Sequence, residues 1–386
     1  MIGETLLREE LLALQQKDLY RQLRTLESIS STRAIWNQRE YLLFCGNDYL
    51  GLAHHPAVVE ATCASARHWG VGAGAARLVS GHTSLHQQLE TALAQWKKKE
   101  RALVYSAGYM ANLGVLSALA EEQDLIVMDK LCHASLIDGA RMSGAALRVF
   151  PHRNYEKCAE ILEKSAAFRR RFLVSDTVFS MDGDLADLKT LAALRQKYAC
   201  WLFVDDAHGT GVLGYEGGGA AEDLALESEI DVMTGTLSKS LGCLGGFVAA
   251  SEAVIEYLIN RSRPFIYATA LPPMLCQAAL TAMEIARGDR TLRMKLWQNV
   301  QKLHEGLSAL GFSMAPIASP ILPILIGGEK EALEFSQALM EQGIFVPAMR
   351  YPTVAKGKAR LRVTVSAAHD EGDLNRLLEA LKRLRL

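Results

Sequence analysis

A regular alternation of short apolar runs with longer helical segments is the feature that most restricts the fold. From about residue 56, such runs alternate with segments of helical length and spacing, for example 155–166 and 188–198. Strands separated by helices indicate βαβ units, which build a mostly parallel sheet with helices on both faces. The pattern therefore predicts an α/β fold with a seven-stranded type of sheet, with strands at 102–105, 125–128, 146–150, 172–175, 201–204, 231–234 and 246–250.

The character of the chain changes after Pro272-Pro273. Helical patterns are expected over 274–310, 330–343 and 370–385, and strands over 321–326 and 360–366, which together indicate a smaller α+β domain. Near the N-terminus, 5–28 has an amphipathic helical pattern that needs an apolar partner, so we expect it to pack with the small domain. The predicted division is an N-terminal segment 1–45, a large domain 46–290 and a small domain 291–386.

Charge and targeting signals restrict the class of protein. The 386 residues contain 42 Lys and Arg against 43 Asp and Glu, so there is no overall electrostatic case for nucleic-acid binding. The acidic N-terminal sequence has no apolar h-region and argues against a signal peptide. The long uncharged run 102–120 contains Ser106, Gly108, Asn112 and Gly114, which favour a strand, a turn and a helix over a membrane span.

Cysteine usage indicates the compartment. The 7 cysteines are odd in number and none forms a C-x-x-C pair, which argues against a disulfide framework and a structural zinc site. A reducing compartment fits this pattern better, so we expect a cytoplasmic protein with no bound metal.

One glycine-rich segment resembles a dinucleotide-binding fingerprint without its context. Residues 70–75 match a loose G-x-G-x-x-[GA] pattern, but the fingerprint requires a preceding strand and 57–69 is predicted to be helical. A loop is the better interpretation. The chain also lacks the P-loop pattern and the G-x-S-x-G pattern of the α/β-hydrolases.

Reactive side chains directly follow two of the predicted strands. The run 201–204 leads directly into Asp205, Asp206 and His208, at the edge where ligands bind in parallel sheets. A helix cap with a tight turn would explain the same residues.

The run 231–234 leads into a Gly/Ser/Thr loop that holds Lys239. A lysine is usually a solvated charge, but a desolvated lysine forms Schiff bases with aldehydes. A carboxylate on a pyridinium nitrogen together with such a lysine is what a protein contributes to pyridoxal-phosphate (PLP) chemistry.

Two further βα junctions complete that pattern. Gly108 and Tyr109 lie where a helix begins after the strand 102–105, and free amides at a helix N-terminus suit a phosphate. An ordinary connecting loop is the alternative. His133 follows the strand 125–128 and is expected at the same sheet edge as Lys239 and Asp205, although a lone histidine is more often structural.

With these residues in place, the chain resembles the α-oxoamine synthases, a family of PLP-dependent enzymes, from about Leu19 to the C-terminus. The motifs that carry the resemblance are NDYLGL at 47–52, RLVSG at 77–81, HASLIDG at 133–139, FSMDGD at 179–184, DDAH at 205–208 and TLSK at 236–239. The resemblance implies a type I PLP-dependent transferase fold. It also implies a homodimer with active sites shared between the subunits.

The resemblance also implies residue roles. Lys239 would form the Schiff base with the cofactor, Asp205 would pair with the pyridine nitrogen, and His208 would approach the ring hydroxyl. His133 would stack on the ring and act in catalysis with Lys239 and Asp205. The remaining cofactor-binding positions would be Gly108, Tyr109, Ser180, Thr236 and Thr269, with Thr269 reaching the neighbouring subunit's phosphate. Substrate-binding positions would be Arg21, Asn47, His133, Arg350 and Thr353.

Within the family, 205–214 and 267–273 resemble the branch that serves biotin biosynthesis. That branch condenses L-alanine with a pimeloyl thioester and releases CO₂ and a free thiol. The acyl carrier could be coenzyme A or acyl-carrier protein. A glycine-using family member is the alternative, followed by a non-catalytic subunit, against which Lys239 argues. The chain departs from the family pattern at Ser238, where glycine is usual, at 240–244, and in the charged turn 97–100.

Overall fold

The computed structural model describes residues 2–16 and 19–385. The helices are α1 (Ile2–Gln16), α2 (Pro56–Trp69), α3 (Ser84–Trp96), α4 (Gly108–Leu119), α5 (Ala134–Ser143), α6 (Tyr155–Glu163), α7 (Leu188–Tyr198), α8 (Ala220–Asp223), α9 (Glu252–Arg261), α10 (Arg263–Ile266), α11 (Pro273–Gly288), α12 (Arg290–Ala309), α13 (Glu329–Glu341) and α14 (Glu371–Arg385). The strands are β1 (Ser28–Ile29), β2 (Arg33–Trp36), β3 (Arg39–Leu43), β4 (Arg101–Tyr105), β5 (Leu125–Asp129), β6 (Ala146–Phe150), β7 (Arg171–Asp176), β8 (Trp201–Asp205), β9 (Val232–Thr236), β10 (Gly246–Ala250), β11 (Ile321–Gly327), β12 (Ile344–Phe345), β13 (Ala348–Met349) and β14 (Ala359–Thr364).

The large sheet confirms the predicted α/β class. It has 7 strands in the order β4-β10-β9-β8-β7-β5-β6, and each predicted run lies on one of them. β10 runs antiparallel to both of its neighbours, whereas the other strands are parallel. The strands β5, β9 and β10 are buried along their whole length, as expected of a sheet covered on both faces. The carboxyl ends of the parallel strands therefore share one edge.

Two smaller sheets lie outside the large one. One is antiparallel, in the order β11-β14-β13. The other joins the N-terminal hairpin of β2 and β3 to the short strand β12, which runs parallel to β3. Helices α13 and α14 also pack in this region. The predicted α+β pattern is therefore present, while the division into three units at residues 45 and 290 stays a prediction.

The predicted N-terminal helix over 5–28 is wrong in its second half. Helix α1 ends at Gln16, and 19–27 is not helical. Contacts with the sheet favour an extended chain here. The amide of Glu27 donates to the carbonyl of Ile35 at 2.8 Å, and the Arg24 guanidinium lies 4.9 Å from the ring centre of Phe345. The leucines of α1 are exposed, so the apolar partner expected for them is not found among the described residues.

The uncharged run 102–120 forms most of β4 and the whole of α4, as predicted. In the described part of the chain, no helix is long and apolar enough to cross a membrane. The glycine-rich segment at 70–75 follows helix α2 and not a strand, in agreement with the interpretation as a loop.

Candidate active site

Most of the predicted site residues line one cavity at the carboxyl edge of the large sheet. Strands β7, β8 and β9 end at Asp176, Asp205 and Thr236, and the helices α4 and α5 begin beside them. The cavity has a volume of about 240 Å³. Its lining includes eight predicted site residues, namely Gly108, Tyr109, His133, Ser180, Asp205, His208, Thr236 and Lys239.

The remaining predicted residues do not line this cavity in the described chain. Asn47 is linked to it by two hydrogen bonds, through Tyr49 to His208. Thr269 is exposed, and its carbonyl accepts a hydrogen bond from Ser106 Oγ at 2.8 Å. Arg21 and Thr353 are exposed, and Arg350 is half-buried. Their cofactor-binding and substrate-binding roles stay predictions.

Asp205 is held in one orientation by its neighbours. Asn112 Nδ2 donates to Asp205 Oδ2 at 2.6 Å, and the amide of Ala207 donates to the other carboxylate oxygen at 2.9 Å. The amide of Asn112 is itself oriented, because its Oδ1 accepts from Thr234 Oγ1 at 2.6 Å. A carboxylate that accepts two hydrogen bonds in this way is available as a fixed partner for a protonated ring nitrogen.

The surroundings of Lys239 favour the uncharged form of its amine. Burial lowers the pKa of Lys239 to about 8, while the charges of Asp205 and Asp176 oppose that change. A larger fraction of neutral amine is therefore present near neutral pH than for an exposed lysine. Such a fraction is what a Schiff-base nucleophile requires.

His133 is positioned at the start of α5. Its Nδ1 lies 2.7 Å from Ser135 Oγ, and its backbone amide donates to Asp176 Oδ2 at 2.9 Å. Burial lowers the pKa of His133, so the ring is neutral at physiological pH.

Burial also raises the pKa of Asp176 well above its usual value, and the charge of Asp205 adds to this rise. Asp176 therefore holds a proton more readily than an exposed aspartate does.

A second group of polar residues leads away from His208. Tyr49 OH lies 2.7 Å from His208 Nδ1 and 3.2 Å from Asn47 Oδ1. Arg362 Nη2 donates to the same Asn47 oxygen at 3.2 Å, and Arg362 Nε donates to the carbonyl of Ser180 at 2.6 Å. The guanidinium therefore lies beside the cavity wall. Its charge also acts on Lys239, whose pKa it lowers together with burial.

The sequence reasoning missed Tyr49, Asn112, Asp176 and Arg362 as site residues. Asp176 carried a usable signal, because it directly follows a predicted strand. Arg362 carried a weaker one, since it lies in a strand in which every residue is buried. Tyr49 lies in the NDYLGL motif and Asn112 in the uncharged run 102–120, but no local pattern assigns them to the cavity.

The cavity residues fit pyridoxal phosphate. Lys239 supplies the amine for an aldehyde and Asp205 the carboxylate for a pyridine nitrogen. Helix α4 begins at Gly108 without a side-chain cap, so its first amides remain available to a phosphate. A Cβ at Gly108 would lie 3.2 Å from the Thr236 side chain, so glycine keeps this junction open. The departure at Ser238 is accommodated, since its Oγ lies 2.7 Å from Thr236 Oγ1.

Comparison with known proteins agrees with this geometry. A model of the aminotransferase class I and II family matches residues 39–381. The chain is 47% identical over 369 residues to an 8-amino-7-oxononanoate synthase of Methylococcus capsulatus, which covers 95% of each chain. The chain belongs to the aminotransferase class I and II family. Within it, the chain belongs with the 8-amino-7-oxononanoate synthases, which confirms the resemblance seen in the motifs.

Solved structures confirm the fold. A serine palmitoyltransferase from S. paucimobilis with a bound PLP–myriocin aldimine aligns with a TM-score of 0.93 at 30% identity, over 98% of this chain and 96% of that one. The 8-amino-7-oxononanoate synthase of Francisella tularensis aligns with a TM-score of 0.78 at 30% identity, over 89% of this chain and 98% of that one. The chain therefore has the PLP-dependent transferase fold.

Proposed function

We propose that this chain is a PLP-dependent acyltransferase that condenses L-alanine with a pimeloyl thioester to form 8-amino-7-oxononanoate. One alanine, one thioester and one proton give the amino-ketone, CO₂ and the free thiol. The observation that carries the proposal is the Lys239 amine in one cavity with the oriented carboxylate of Asp205. The proposal is supported by 47% identity to an 8-amino-7-oxononanoate synthase over 95% of the chain.

The cofactor, when bound, supplies an aldehyde that condenses with amines and a protonated ring that accepts the electrons of a carbanion. Lys239 would hold it through its amine, and Asp205 would keep the ring nitrogen protonated. Gly108 and Tyr109 would offer amides to its phosphate. Ser180, Thr236 and the face of His133 would complete its binding site, and Thr269 would serve the partner subunit.

Proton movement falls to Lys239. When it is not bonded to the cofactor, the Lys239 amine would be free in the cavity and would take the proton from the alanine Cα. The lowered pKa suits this role, because the amine is uncharged when the proton arrives. The same group returns a proton to that carbon after CO₂ has left.

Neutral His133 lies on the cavity wall and can donate one hydrogen bond through its ring. Its Nδ1 is engaged with Ser135 Oγ, which leaves Nε2 for the substrate. We assign it the keto oxygen that develops when the thioester is attacked, where a donor stabilises the growing negative charge.

Arg362 is the geometric candidate for the alanine carboxylate. It is buried, its guanidinium lies next to Asn47, and its charge reaches Lys239. A guanidinium can hold a carboxylate through two parallel hydrogen bonds. Arg350, Arg21 and Thr353 remain substrate-binding candidates from the family resemblance, and Arg362 joins them on geometry.

We further propose that the enzyme works as a homodimer in the cytoplasm. Large apolar side chains near the exposed Thr269 segment support an interface, since Val79 is 81% and Tyr267 70% exposed in the single chain. The cysteines are free, as a reducing compartment allows. Analytical ultracentrifugation tests the dimer directly.

The decisive experiment for the activity is thiol release across amino acids and acyl thioesters. We expect alanine with a pimeloyl thioester to give the highest kcat/KM, with coenzyme A and acyl-carrier protein compared as carriers. Faster turnover of glycine would replace the proposal by the glycine-using alternative. Absence of visible cofactor absorbance in the purified protein would support a non-catalytic subunit instead.

A further inference from the structure

Tyr49 is a fully enclosed side chain whose hydroxyl touches a cofactor-facing histidine. It is 1% exposed, and its ring lies 6.0 Å from that of His208. Burial raises the pKa of Tyr49 to about 12, so the phenol keeps its proton at every pH at which the protein works. A phenol with a single proton can donate only one hydrogen bond at a time.

The distances select the acceptor of that proton. Tyr49 OH lies 2.7 Å from His208 Nδ1 but 3.2 Å from Asn47 Oδ1. Hydroxyl donors prefer separations of about 2.7–2.8 Å and rarely exceed about 3.0 Å. Asn47 Oδ1 also has another donor, Arg362 Nη2. The Tyr49 proton therefore belongs to the bond with His208.

His208 is uncharged in this setting. Burial lowers the pKa of His208 well below its usual value, and the charges of Lys239 and Arg362 add to this effect, with a smaller contribution from His133. A neutral imidazole has one donor nitrogen and one acceptor nitrogen. If Nδ1 accepts from Tyr49, the proton of His208 lies on Nε2. In the described chain, Nε2 makes no protein hydrogen bond, so it is available to a bound molecule.

We propose that Tyr49 is a positioning residue that holds the His208 proton on Nε2, so that His208 donates a hydrogen bond to the ring oxygen of the bound cofactor. The inference rests on the proposed function for the identity of the cofactor. A donor at that oxygen stabilises its anionic form and so lowers the pH at which the visible chromophore loses its proton. Without Tyr49, either nitrogen can carry the proton and this donor is no longer guaranteed.

The direct test is the tautomer of His208 in the holoenzyme. Long-range proton–nitrogen correlation spectra of ¹⁵N-histidine-labelled protein report which ring nitrogen is protonated, and His208→Gln assigns the signal. We expect protonated Nε2 in the wild type and loss of that preference in Tyr49→Phe. A wild type protonated on Nδ1, or an unchanged tautomer in Tyr49→Phe, would overturn the proposal.

A second readout uses the cofactor itself. In Tyr49→Phe, the midpoint of the pH-dependent change in visible absorbance should rise by about one pH unit, the effect of one hydrogen bond to a charged group. Tyr105→Phe is the matched control, because Tyr105 is equally buried and donates to Ser262 Oγ at 3.0 Å outside the cavity. A midpoint that shifts equally in both variants, or in neither, would contradict the role of Tyr49. A wild type without visible absorbance would contradict the proposed function, while the tautomer of His208 in the cofactor-free protein would still test whether Tyr49 holds the proton on Nε2.

Discussion

Lys97 Nζ lies 2.9 Å from Asp206 Oδ2, and both side chains are almost completely enclosed. The ammonium also donates to Thr210 Oγ1 at 2.6 Å and to the carbonyl of Gly218 at 2.8 Å. Asp206 adjoins Asp205 in the segment that also carries His208. The charged turn at 97–100, a departure from the family pattern, therefore supplies a cation for the base of the active-site loop.

Removing that cation should strongly destabilise the fold. Lys97→Met keeps the length of the side chain but leaves the Asp206 carboxylate buried without a counter-ion, which costs about 3–5 kcal/mol in comparable cases. Urea unfolding measures the loss. Lys157→Met removes an exposed pair with Glu160 and should change nothing measurable. Adding Asp206→Asn to Lys97→Met should recover part of the loss, and a single variant as stable as the wild type would contradict this account.

The carboxyl groups of Asp176 and Asp205, on neighbouring strands, should respond differently to replacement by asparagine. Asp176 and Asp205 are paired in register on β7 and β8, but burial and the charge of Asp205 raise the pKa of Asp176 well above its usual value. Asp205→Asn removes a charge and should slow α-proton exchange of alanine in D₂O by orders of magnitude. Asp176→Asn replaces a neutral group and should have a small effect. Equal slowing in both variants would mean that Asp176 also acts as an anion.

Two arginines are candidates for binding the substrate carboxylate. Arg362→Lys keeps the charge but loses the planar pair of donors, so we expect the KM for alanine to rise by about tenfold or more. Arg350→Lys is the matched comparison, because the family resemblance favours Arg350 and the cavity geometry favours Arg362. A larger rise in KM for Arg350→Lys would assign the carboxylate to Arg350.

His152 should make the folded state less stable as the pH rises into the alkaline range. Its Nδ1 lies 3.0 Å from Asp129 Oδ1 and its Nε2 lies 2.9 Å from Asp184 Oδ2. Burial alone would lower the pKa of His152, but the two carboxylates raise it from 6.5 to about 9. The folded state then binds the proton more tightly, so the stabilisation is complete below pH 6.5 and is lost as the pH rises through 9. Thermal unfolding of the wild type and of His152→Gln should converge across this range, and parallel curves would exclude the linkage.

The sequence predicted the parts of the site that depend on one strand end at a time. Asp205 and Lys239 each follow an apolar run directly, and parallel strands bring such positions to a common edge. Contacts between distant segments gave no local signal. Arg362 and Asn47 are 315 residues apart in the chain. Their segments meet in the fold, where the amide of Thr364 donates to the carbonyl of Phe44 at 2.9 Å. The N-terminal helix failed for a related reason, because contacts of Arg24 and Glu27 with the sheet override the local helical pattern.

The covalent role of Lys239 should be visible without any substrate. Lys239→Ala should abolish turnover and the lysine-dependent visible absorbance while the chain remains folded. Circular dichroism and thermal unfolding check the fold. A folded variant with near-normal turnover would remove Lys239 from both proton transfer and cofactor attachment.

The central claim is that alanine loses its carboxyl group as the thioester acylates it. The most direct measurement supplies carboxyl-labelled ¹³C-alanine and a pimeloyl thioester, and follows labelled CO₂, free thiol and the amino-ketone in one reaction. The account predicts equal amounts of all three from the wild type, none from Lys239→Ala, and a preference for alanine over glycine of about ten- to two-hundred-fold, the range that one methyl group can supply. Thiol released without labelled CO₂, or faster turnover of glycine than of alanine, would contradict it.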